Sequence, residues 1–279
     1  MKEQQNNPAE TISYEELARL NTLIDNIYGF HFSNYSPASF KRRVSRIMEL
    51  EKLSLFELRD RLTNDPAYFQ HFLMEITVNV TEMFRDPLFY QAIKTQVVPY
   101  MESFPKINVW HAGCSTGEEL YSFAILFKEV NLYDRAFFYG TDISNEVLEK
   151  AKEGIYDLRK MKTNTENYIK SGASGTLSDY YTAKYDAASI HHSLKENVLF
   201  SAHNLVTDGV FNEFQLISCR NVLIYFNLEL QMEVIDLFYD SLANFGFLCL
   251  GAKETLRSSD LKRFKVVDKH NRIYQKIAY

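Results

Sequence analysis

From residue 105 onward, short runs of strand-forming residues alternate with amphipathic stretches, and this alternation constrains the fold more than any other feature. Consecutive parallel strands need a helical crossover, so the pattern predicts an α/β fold with a doubly wound, mostly parallel sheet. Strands are predicted at residues 107–112, 136–141, 198–202, 214–219 and 245–251, and helices at residues 118–130, 145–151 and 228–243. Residues 264–267 and 273–277 lie too close for a crossover, so the sheet is expected to end in an antiparallel hairpin.

Before this region the chain has only helical periodicity. Leu17, Leu20 and Ile24 recur at helical steps before Gly29, and similar patterns begin near residues 37, 55 and 66. The sequence therefore predicts a small all-helical domain at residues 11–78, a linker and helix at 79–104, and the sheet domain at 105–279. Residues 155–197 are too many for an ordinary connection, which indicates an inserted, partly flexible subdomain.

Charge and composition exclude several classes of protein. The chain has 31 basic and 36 acidic residues and a net charge of −5, which disfavours nucleic acid as a partner. Its three cysteines lie far apart in apolar runs, and neither a C-x-x-C nor an H-E-x-x-H motif occurs, so we expect reduced thiols and no metal. No long apolar segment is present, so we expect no membrane insertion and a cytoplasmic location.

The first predicted strand runs into a glycine-containing turn and then a helix that begins with Glu118. In parallel sheets such a turn lets a ligand approach the backbone and the helix N-terminus closely. Gly113 and Gly117 have the spacing G-x-x-x-G, which matches neither the dinucleotide fingerprint nor a P-loop. The turn therefore predicts a nucleotide-like cofactor other than NAD or ATP, unless the glycines serve only the shape of the turn.

Two further strand ends support a cofactor site. Asp142 ends the second strand, where a carboxylate can accept hydrogen bonds from both hydroxyls of a ribose. Asn221 and Val222 follow the fourth strand and are expected at the same edge of the sheet. A turn cap is the alternative role for Asn221.

Five segments together resemble the CheR-type chemotaxis-receptor methyltransferases, a family of S-adenosylmethionine-dependent protein-glutamate O-methyltransferases. The segments are TVNVTEMFR at 77–85, AGCSTGEE at 112–119, TDI at 141–143, HNL at 203–205 and CRNVLIYF at 219–226. The resemblance extends from about residue 36 to residue 276. It implies a small helical domain followed by a Rossmann-like S-adenosylmethionine methyltransferase sheet that carries a small β-subdomain.

The resemblance also implies roles for individual residues. The product of the cofactor would be S-adenosylhomocysteine. The residues implied to contact the cofactor are Asn79, Thr81, Arg85, Gly113, Glu118, Asp142, Asn204, Leu205, Asn221 and Val222. Arg85 can oppose either the methionyl carboxylate of the cofactor or the incoming substrate carboxylate. Tyr225 is expected next to the cofactor edge, where its hydroxyl can orient the substrate carboxylate. For Glu118 the alternative is a first-turn acid that complements the helix dipole, and for Tyr225 it is a core tyrosine.

On the substrate side, four cations lie within six positions, at Lys41, Arg42, Arg43 and Arg46. In the family the equivalent helix faces the acidic helical cytoplasmic region of a chemoreceptor, so the resemblance implies such a partner for a monomeric enzyme. A solvated charged face is the alternative reading of these cations. The family's β-subdomain docks a tether peptide in some members, but the lengthened segment here shows little of the alternation that strand addition needs.

Two other functions remain open at this stage. The same fold serves methyltransferases of other substrate classes, because fold does not fix substrate. A proline-rich motif after the fourth strand, typical of adenine-N6 enzymes, is not found in this sequence. The second alternative is a non-catalytic signalling module that binds S-adenosylmethionine, which the polar residues present at each cofactor position disfavour.

Overall fold

The computed structural model describes residues 12–30, 32, 37–76 and 81–278 and divides the chain into two compact units. The first comprises residues 1–78 and 224–231, and the second comprises residues 79–223 and 232–279. Within the described ranges, no helix is long and apolar enough to cross a membrane.

The described residues before position 77 form four α-helices of the first unit, α1 (Tyr14–Tyr28), α2 (Pro37–Glu51), α3 (Leu55–Asn64) and α4 (Pro66–Ile76). Ser13 and Ser54 begin α1 and α3 with capping boxes, in which the serine hydroxyl and a glutamate at the third helical position satisfy the first backbone N–H groups. Gly29 ends α1 in the left-handed conformation, with φ of 69°. The buried faces of the helices carry leucine, isoleucine and phenylalanine, so the predicted all-helical character is confirmed.

The second unit contains a seven-stranded sheet in the order β6-β2-β1-β7-β8-β10-β9. The strands of this sheet are β1 (Ile107–Ala112), β2 (Ala136–Asp142), β6 (Val198–Ala202), β7 (Phe214–Cys219), β8 (Leu242–Leu250), β9 (Phe264–Asp268) and β10 (Ile273–Lys276). All neighbours are parallel except β10, which pairs antiparallel with both β8 and β9. The predicted Rossmann-like sheet with a terminal hairpin is therefore confirmed.

Helices α7 (Glu118–Glu129), α8 (Asn145–Glu153) and α10 (Leu228–Ser241) lie between strands of this sheet in the chain. Helix α5 (Pro87–Ala92), a π-helical turn (Ile93–Val97) and helix α6 (Val98–Met101) precede β1. The sequence predicted α10 to residue 243 and β8 from residue 245, and both bounds are wrong. Leu242 already pairs with Phe214 of β7, so the strand begins directly where the helix ends.

The insertion forms its own small sheet in the order β3-β5-β4, with β3 (Ile155–Asp157), β4 (Tyr181–Lys184) and β5 (Ala187–Ile190). Helix α9 (Met161–Lys170) lies between β3 and β4 in the chain. The insertion expected to be partly flexible thus has regular elements. Tyr156 on β3 donates its hydroxyl hydrogen bond to the Thr116 carbonyl at 2.8 Å, which joins the small sheet to the turn after β1.

Candidate functional site

The turn between β1 and α7 brings the backbone close to the end of β7. Gly113 and Gly117 have φ of 73° and 89°, a conformation that side chains with a Cβ rarely adopt. A Cβ at Gly113 would overlap the Cγ2 methyl of Val222. The N–H groups of Gly113 and Cys114 donate to the Thr141 carbonyl at 2.8 and 2.9 Å, which fixes the turn against the end of β2.

Asp142 lies at the end of β2 and is hydrogen-bonded on both carboxylate oxygens. Its Oδ2 accepts from the Ser115 N–H at 2.9 Å, and its Oδ1 accepts from the Ser144 N–H at 3.1 Å. Burial raises the pKa of this carboxyl above its usual range, although these N–H groups oppose the rise. Each oxygen keeps a further lone pair, so the oriented carboxylate can accept hydrogen bonds from a ligand.

Glu118, the first residue of α7, is the second acid of the site. Its side chain is buried, and its Oε2 accepts a hydrogen bond from the Thr116 hydroxyl at 2.6 Å. Burial raises the pKa of the Glu118 carboxyl to about 7 against the effect of this hydrogen bond. A carboxyl with such a pKa ionises more readily when a cationic ligand lies beside it.

The turn after β7 is held by a buried carboxylate that the sequence did not single out, Glu254. Its Oε2 accepts from the N–H groups of Asn221 and Gly251 at 3.0 and 2.6 Å, and its Oε1 accepts from the Val222 N–H at 2.8 Å. Asn221 has φ of 64°, a left-handed conformation that this carboxylate helps to fix. Glu254 thereby positions Val222 opposite Gly113.

A chain of buried polar groups crosses the sheet below this edge. The Glu119 carboxylate accepts hydrogen bonds from His111 Nδ1 at 3.1 Å and from the Ser218 hydroxyl at 2.6 Å, and its other oxygen lies 3.0 Å from Arg220. Arg220 also pairs with Asp86 at 2.6 Å. The Arg220 side chain is only 3% exposed, whereas that of Asp86 is 51% exposed, so the network leads from the core to the surface.

The charge state of this network follows from its hydrogen bonds. Burial alone would raise the pKa of Glu119, but the hydrogen bond from His111 and the charge of Arg220 outweigh it and lower that pKa to about 2. Because an ionised carboxylate only accepts hydrogen bonds, His111 carries its proton on Nδ1. The adjacent glutamates therefore differ in role, since Glu118 belongs to the turn and Glu119 belongs to the buried network.

The segment that leads into α5 is anchored on both sides of Arg85. The Phe84 N–H donates to the Ser122 hydroxyl at 2.9 Å, and the Met83 N–H donates to Asn164 at 3.2 Å. Beyond Arg85, Asp86 is held by Arg220 as described. Arg85 itself is exposed and Thr81 is partly buried, while Asn79 lies outside the described residues.

The remaining predicted residues fall into two groups. Asn204 and Leu205 follow β6, and the neighbouring His203 N–H donates to the Asp142 carbonyl at 3.1 Å, so they lie at the same sheet edge. The Asn204 side chain also caps a local turn through the Val206 N–H at 3.0 Å. Tyr225 and the α2 cations belong to the first unit.

The structure thus brings together one cluster of the predicted residues at the carboxyl edge of the sheet. Its members are Gly113, Glu118, Asp142, Asn204, Leu205, Asn221 and Val222. Sequence reasoning missed Glu254, the Glu119–Arg220 pair and Tyr156. Arg220 did carry a usable signal, because a charged residue that directly follows a mostly apolar strand needs a buried partner.

Comparison with known protein families gives two matches that together cover most of the chain. Residues 79–273 match the CheR methyltransferase, SAM binding domain, and residues 15–77 match the CheR methyltransferase, all-alpha domain. The boundary between the two matches, at residue 78, is also a boundary between the two compact units, although residues 224–231 of the first unit lie within the SAM binding domain match.

Several curated relatives align along nearly the whole chain. A Pseudomonas putida protein, provisionally named methyltransferase Cher3, is 45% identical over 89% of this chain and 92% of its own length. A chemotaxis protein methyltransferase of Listeria innocua is 32% identical over 82% and 85% of the two chains. Among solved structures, magnesium protoporphyrin IX methyltransferase (ChlM) from Synechocystis PCC 6803 with bound SAM aligns at 15% identity and a TM-score of 0.36, covering 79% and 93%.

Proposed function

The chain belongs to the CheR family of S-adenosylmethionine-dependent methyltransferases, and from this we propose that it methylates glutamate side chains of a protein substrate, giving glutamate methyl esters. We propose the cytoplasmic region of a chemoreceptor as that substrate. The curated relatives from Listeria innocua and Borreliella burgdorferi are both named chemotaxis protein methyltransferase, which supports this choice.

The residues at the carboxyl edge fit the cofactor chemically. S-adenosylmethionine supplies a methyl group on a positively charged sulfonium and also carries an α-ammonium group and a ribose. Glu118 offers a buried carboxyl to the cationic part, and Asp142 offers an oriented acceptor to the ribose. The missing side chain of Gly113 makes room for the Val222 side chain, which packs against the turn.

One observation carries the proposal for the acceptor, namely the ion pair between Asp86 and the buried Arg220 at 2.6 Å. Because Asp86 is fixed to the residue that follows β7, the preceding residue, Arg85, presents its exposed side chain from an anchored backbone. A guanidinium can bind a carboxylate through two parallel hydrogen bonds. Arg85 thus has the chemistry to hold a glutamate carboxylate near the cofactor site.

No general base is needed for this transfer. A glutamate carboxyl with an ordinary pKa near ~4.3 is already ionised at pH 7, so the nucleophile requires no deprotonation. The protein's contribution is to orient the carboxylate and to remove water from it, and orientation supplies the larger share of the rate. Arg85 is assigned the orienting role.

The proposed docking surface for the substrate is α2, and its four cations differ in their surroundings. Lys41 lies over the Tyr14 ring at 4.9 Å, and Arg43 donates to the Glu75 carbonyl at 3.3 Å, so both also serve the fold of the first unit. Arg42 and Arg46 are exposed and lie one helical turn apart. We therefore assign the contact with an acidic substrate helix chiefly to these two arginines.

The proposed activity is tested by incubating the protein with methyl-labelled S-adenosylmethionine and a receptor cytoplasmic fragment, followed by base treatment. A glutamate methyl ester releases volatile methanol in base, whereas methylated nitrogen does not. We expect base-labile label on the fragment. Cofactor binding without transfer would instead indicate a binding module, and base-stable label would indicate another class of acceptor.

The role of Arg85 is tested on the same preparation. Arg85→Ala should abolish most methyl transfer while leaving the melting temperature close to that of the wild type, because the side chain is exposed. Arg85→Lys should recover only part of the activity, since a lysine cannot bind a carboxylate through a planar fork. Parallel losses of activity and melting temperature in Arg85→Ala would show a structural role instead.

A further inference from the structure

A second recess lies at the carboxyl edge of the sheet, on the side away from β2. It is a cleft of about 730 Å³ between the start of α5, the end of β8 and the turn that joins β9 to β10. The residues that matter for its chemistry are Asp86, Leu88, Arg220, Leu250, Lys269 and Arg272. Asp86 directly follows Arg85 in the chain, so the cleft opens beside the residue assigned to the substrate carboxylate.

The cations that line the cleft differ in whether they have a carboxylate partner. Arg220 is neutralised by Glu119 and Asp86 at 3.0 and 2.6 Å. Lys269 and Arg272, by contrast, have no carboxylate partner within the part of the chain that the structure describes. The Arg272 Nε is buried and has no hydrogen-bond partner among these residues. Two cations of the cleft are therefore available to an anionic ligand.

The cleft wall is partly apolar. Leu88 on α5 is 57% exposed, whereas Leu250, which also lines the cleft, is buried at the end of β8. Cations beside an exposed leucine suit a ligand that carries carboxylates and apolar groups together, as an amphipathic acidic polypeptide does. Because the whole chain has a net charge of −5, a local excess of positive charge would attract such a ligand against the overall field.

We propose that this basic cleft binds acidic and aliphatic side chains of the protein substrate that flank the glutamate being methylated. This inference rests on the proposed function, and it adds a specificity site in the second unit. Lys269 and Arg272 would pair with carboxylates of the substrate, and Leu88 would pack against an aliphatic side chain. Acceptor glutamates with a further acidic neighbour would then be preferred over isolated ones.

The experiment measures direct binding, so that it does not depend on methyl transfer. The probe is a fluorescently labelled helical peptide that contains glutamate and leucine. The control peptide has glutamine in place of each glutamate. Lys269→Glu is compared with Lys265→Glu, since both lysines are exposed on one hairpin and both variants change the net charge equally. Arg272→Gln provides a variant without charge reversal.

We expect the glutamate peptide to bind more tightly than the glutamine peptide. Lys269→Glu should weaken it by roughly three- to tenfold, as expected for reversal at a partly exposed charge, and Lys265→Glu by less than about twofold. Arg272→Gln should weaken the glutamate peptide more than the glutamine peptide. Equal affinities for the two peptides, or equal effects of the two lysine variants, would overturn the proposal.

The outcome is separable from that of the proposed function. If the wild type binds the acidic peptide in this pattern but transfers no methyl group to a receptor fragment, the cleft is supported and the proposed acceptor is wrong. If the wild type methylates the fragment and Lys269→Glu leaves both the peptide affinity and the KM for the fragment unchanged, the cleft assignment is wrong and the activity stands.

Discussion

The two halves of the sheet's carboxyl edge carry opposite charges and are built in different ways. At β1 and β2 the acidic half consists of Glu118 and Asp142, two carboxyls whose pKa values burial raises. At β8 and β10 the basic cleft presents Lys269 and Arg272 without carboxylate partners among the described residues. A cationic cofactor suits the first half and an anionic polypeptide suits the second.

The acidic half comes from segments that are close in the chain, whereas the basic cleft requires three distant ones. The contact between Ser115 and Asp142 joins residues 27 positions apart across one strand-turn-helix unit and its neighbouring strand. The pair of Asp86 and Arg220 joins residues 134 positions apart. The proposed cofactor site can therefore form from β1, β2 and the connection between them. The proposed substrate cleft depends on contacts between segments that are far apart in the chain.

The largest effect is expected from breaking the network that links the two halves. Arg220→Met leaves the buried Glu119 carboxylate without its cation, and the loss should lower the free energy of unfolding by about 3–5 kcal/mol. Urea unfolding measures this free energy. The double variant Glu119→Gln/Arg220→Met removes the unpaired charge and should unfold with a smaller loss than the single variant. If the double variant is less stable than Arg220→Met, the loss of stability does not come from the unpaired Glu119 charge.

A smaller but still large effect is expected in the acidic half. Asp142→Ala should weaken binding of S-adenosylhomocysteine by roughly ten- to a hundredfold, because charge-assisted hydrogen bonds are worth ~1.5–3 kcal/mol. Titration calorimetry measures the affinity.

The control for Asp142 is an analogue of the product that lacks the ribose hydroxyls. Wild type should bind this analogue more weakly than S-adenosylhomocysteine, whereas Asp142→Ala should bind the two alike, because the hydrogen bonds are already lost. If the variant still discriminates between the ligands, Asp142 does not hold the ribose.

The sequence predicted the fold well because the elements of the sheet have strong local patterns. The bounds of β1, β6 and β7 agree with the prediction, since each strand is bordered by turn residues. The small inserted sheet was not predicted in detail. Its strand β4 has largely exposed residues, so no alternation of apolar and polar side chains marks it.

The site residues also divide into those marked by a local sequence pattern and those placed only by tertiary contacts. Gly113 and Asp142 could be chosen from the sequence because each lies where a predicted strand ends, and Glu118 was identified through the family resemblance. Glu254 could not, because its role depends on hydrogen bonds to backbone groups 32 and 33 positions earlier in the chain. Backbone N–H partners leave no trace in residue type, so only the structure identifies such a carboxylate.

A moderate effect, and one that depends on pH, is expected from Glu118. With a pKa of about 7 in the free protein, this carboxyl is partly protonated at neutral pH, and a cationic ligand must displace that proton. Affinity for S-adenosylhomocysteine should therefore fall as pH decreases below about 7, by at most about tenfold per unit, and level off above that value. Calorimetry between pH 5.5 and 8 measures the slope.

Two variants separate Glu118 from the other acid. Glu118→Gln should bind more weakly at pH 8 and should show little change with pH. Asp142→Asn should lower the affinity but retain the step near pH 7, because Glu118 is still present. A wild-type affinity that is constant across this range would show that Glu118 does not face the cationic part of the ligand.

The smallest effect is expected from charge reversal on α2. This experiment compares the α2 cations with the basic cleft as surfaces that bind the substrate. Reversing both exposed arginines with Arg42→Glu/Arg46→Glu should raise the KM for the receptor fragment by roughly three- to tenfold at low salt. Affinity for S-adenosylmethionine should not change. A methylation assay at several fragment concentrations, together with calorimetry for the cofactor, measures both quantities.

The matched control for α2 is Lys52→Glu/Arg59→Glu, which makes the same change in net charge at exposed positions of the same unit. If α2 contacts the substrate, this control should leave the KM near the wild-type value. Salt should reduce the difference between wild type and the α2 variant, because exposed charges are screened beyond a Debye length of ~8 Å at physiological ionic strength. Equal KM values for the α2 variant and its control at low salt would mean that net charge, and not the α2 surface, attracts the substrate.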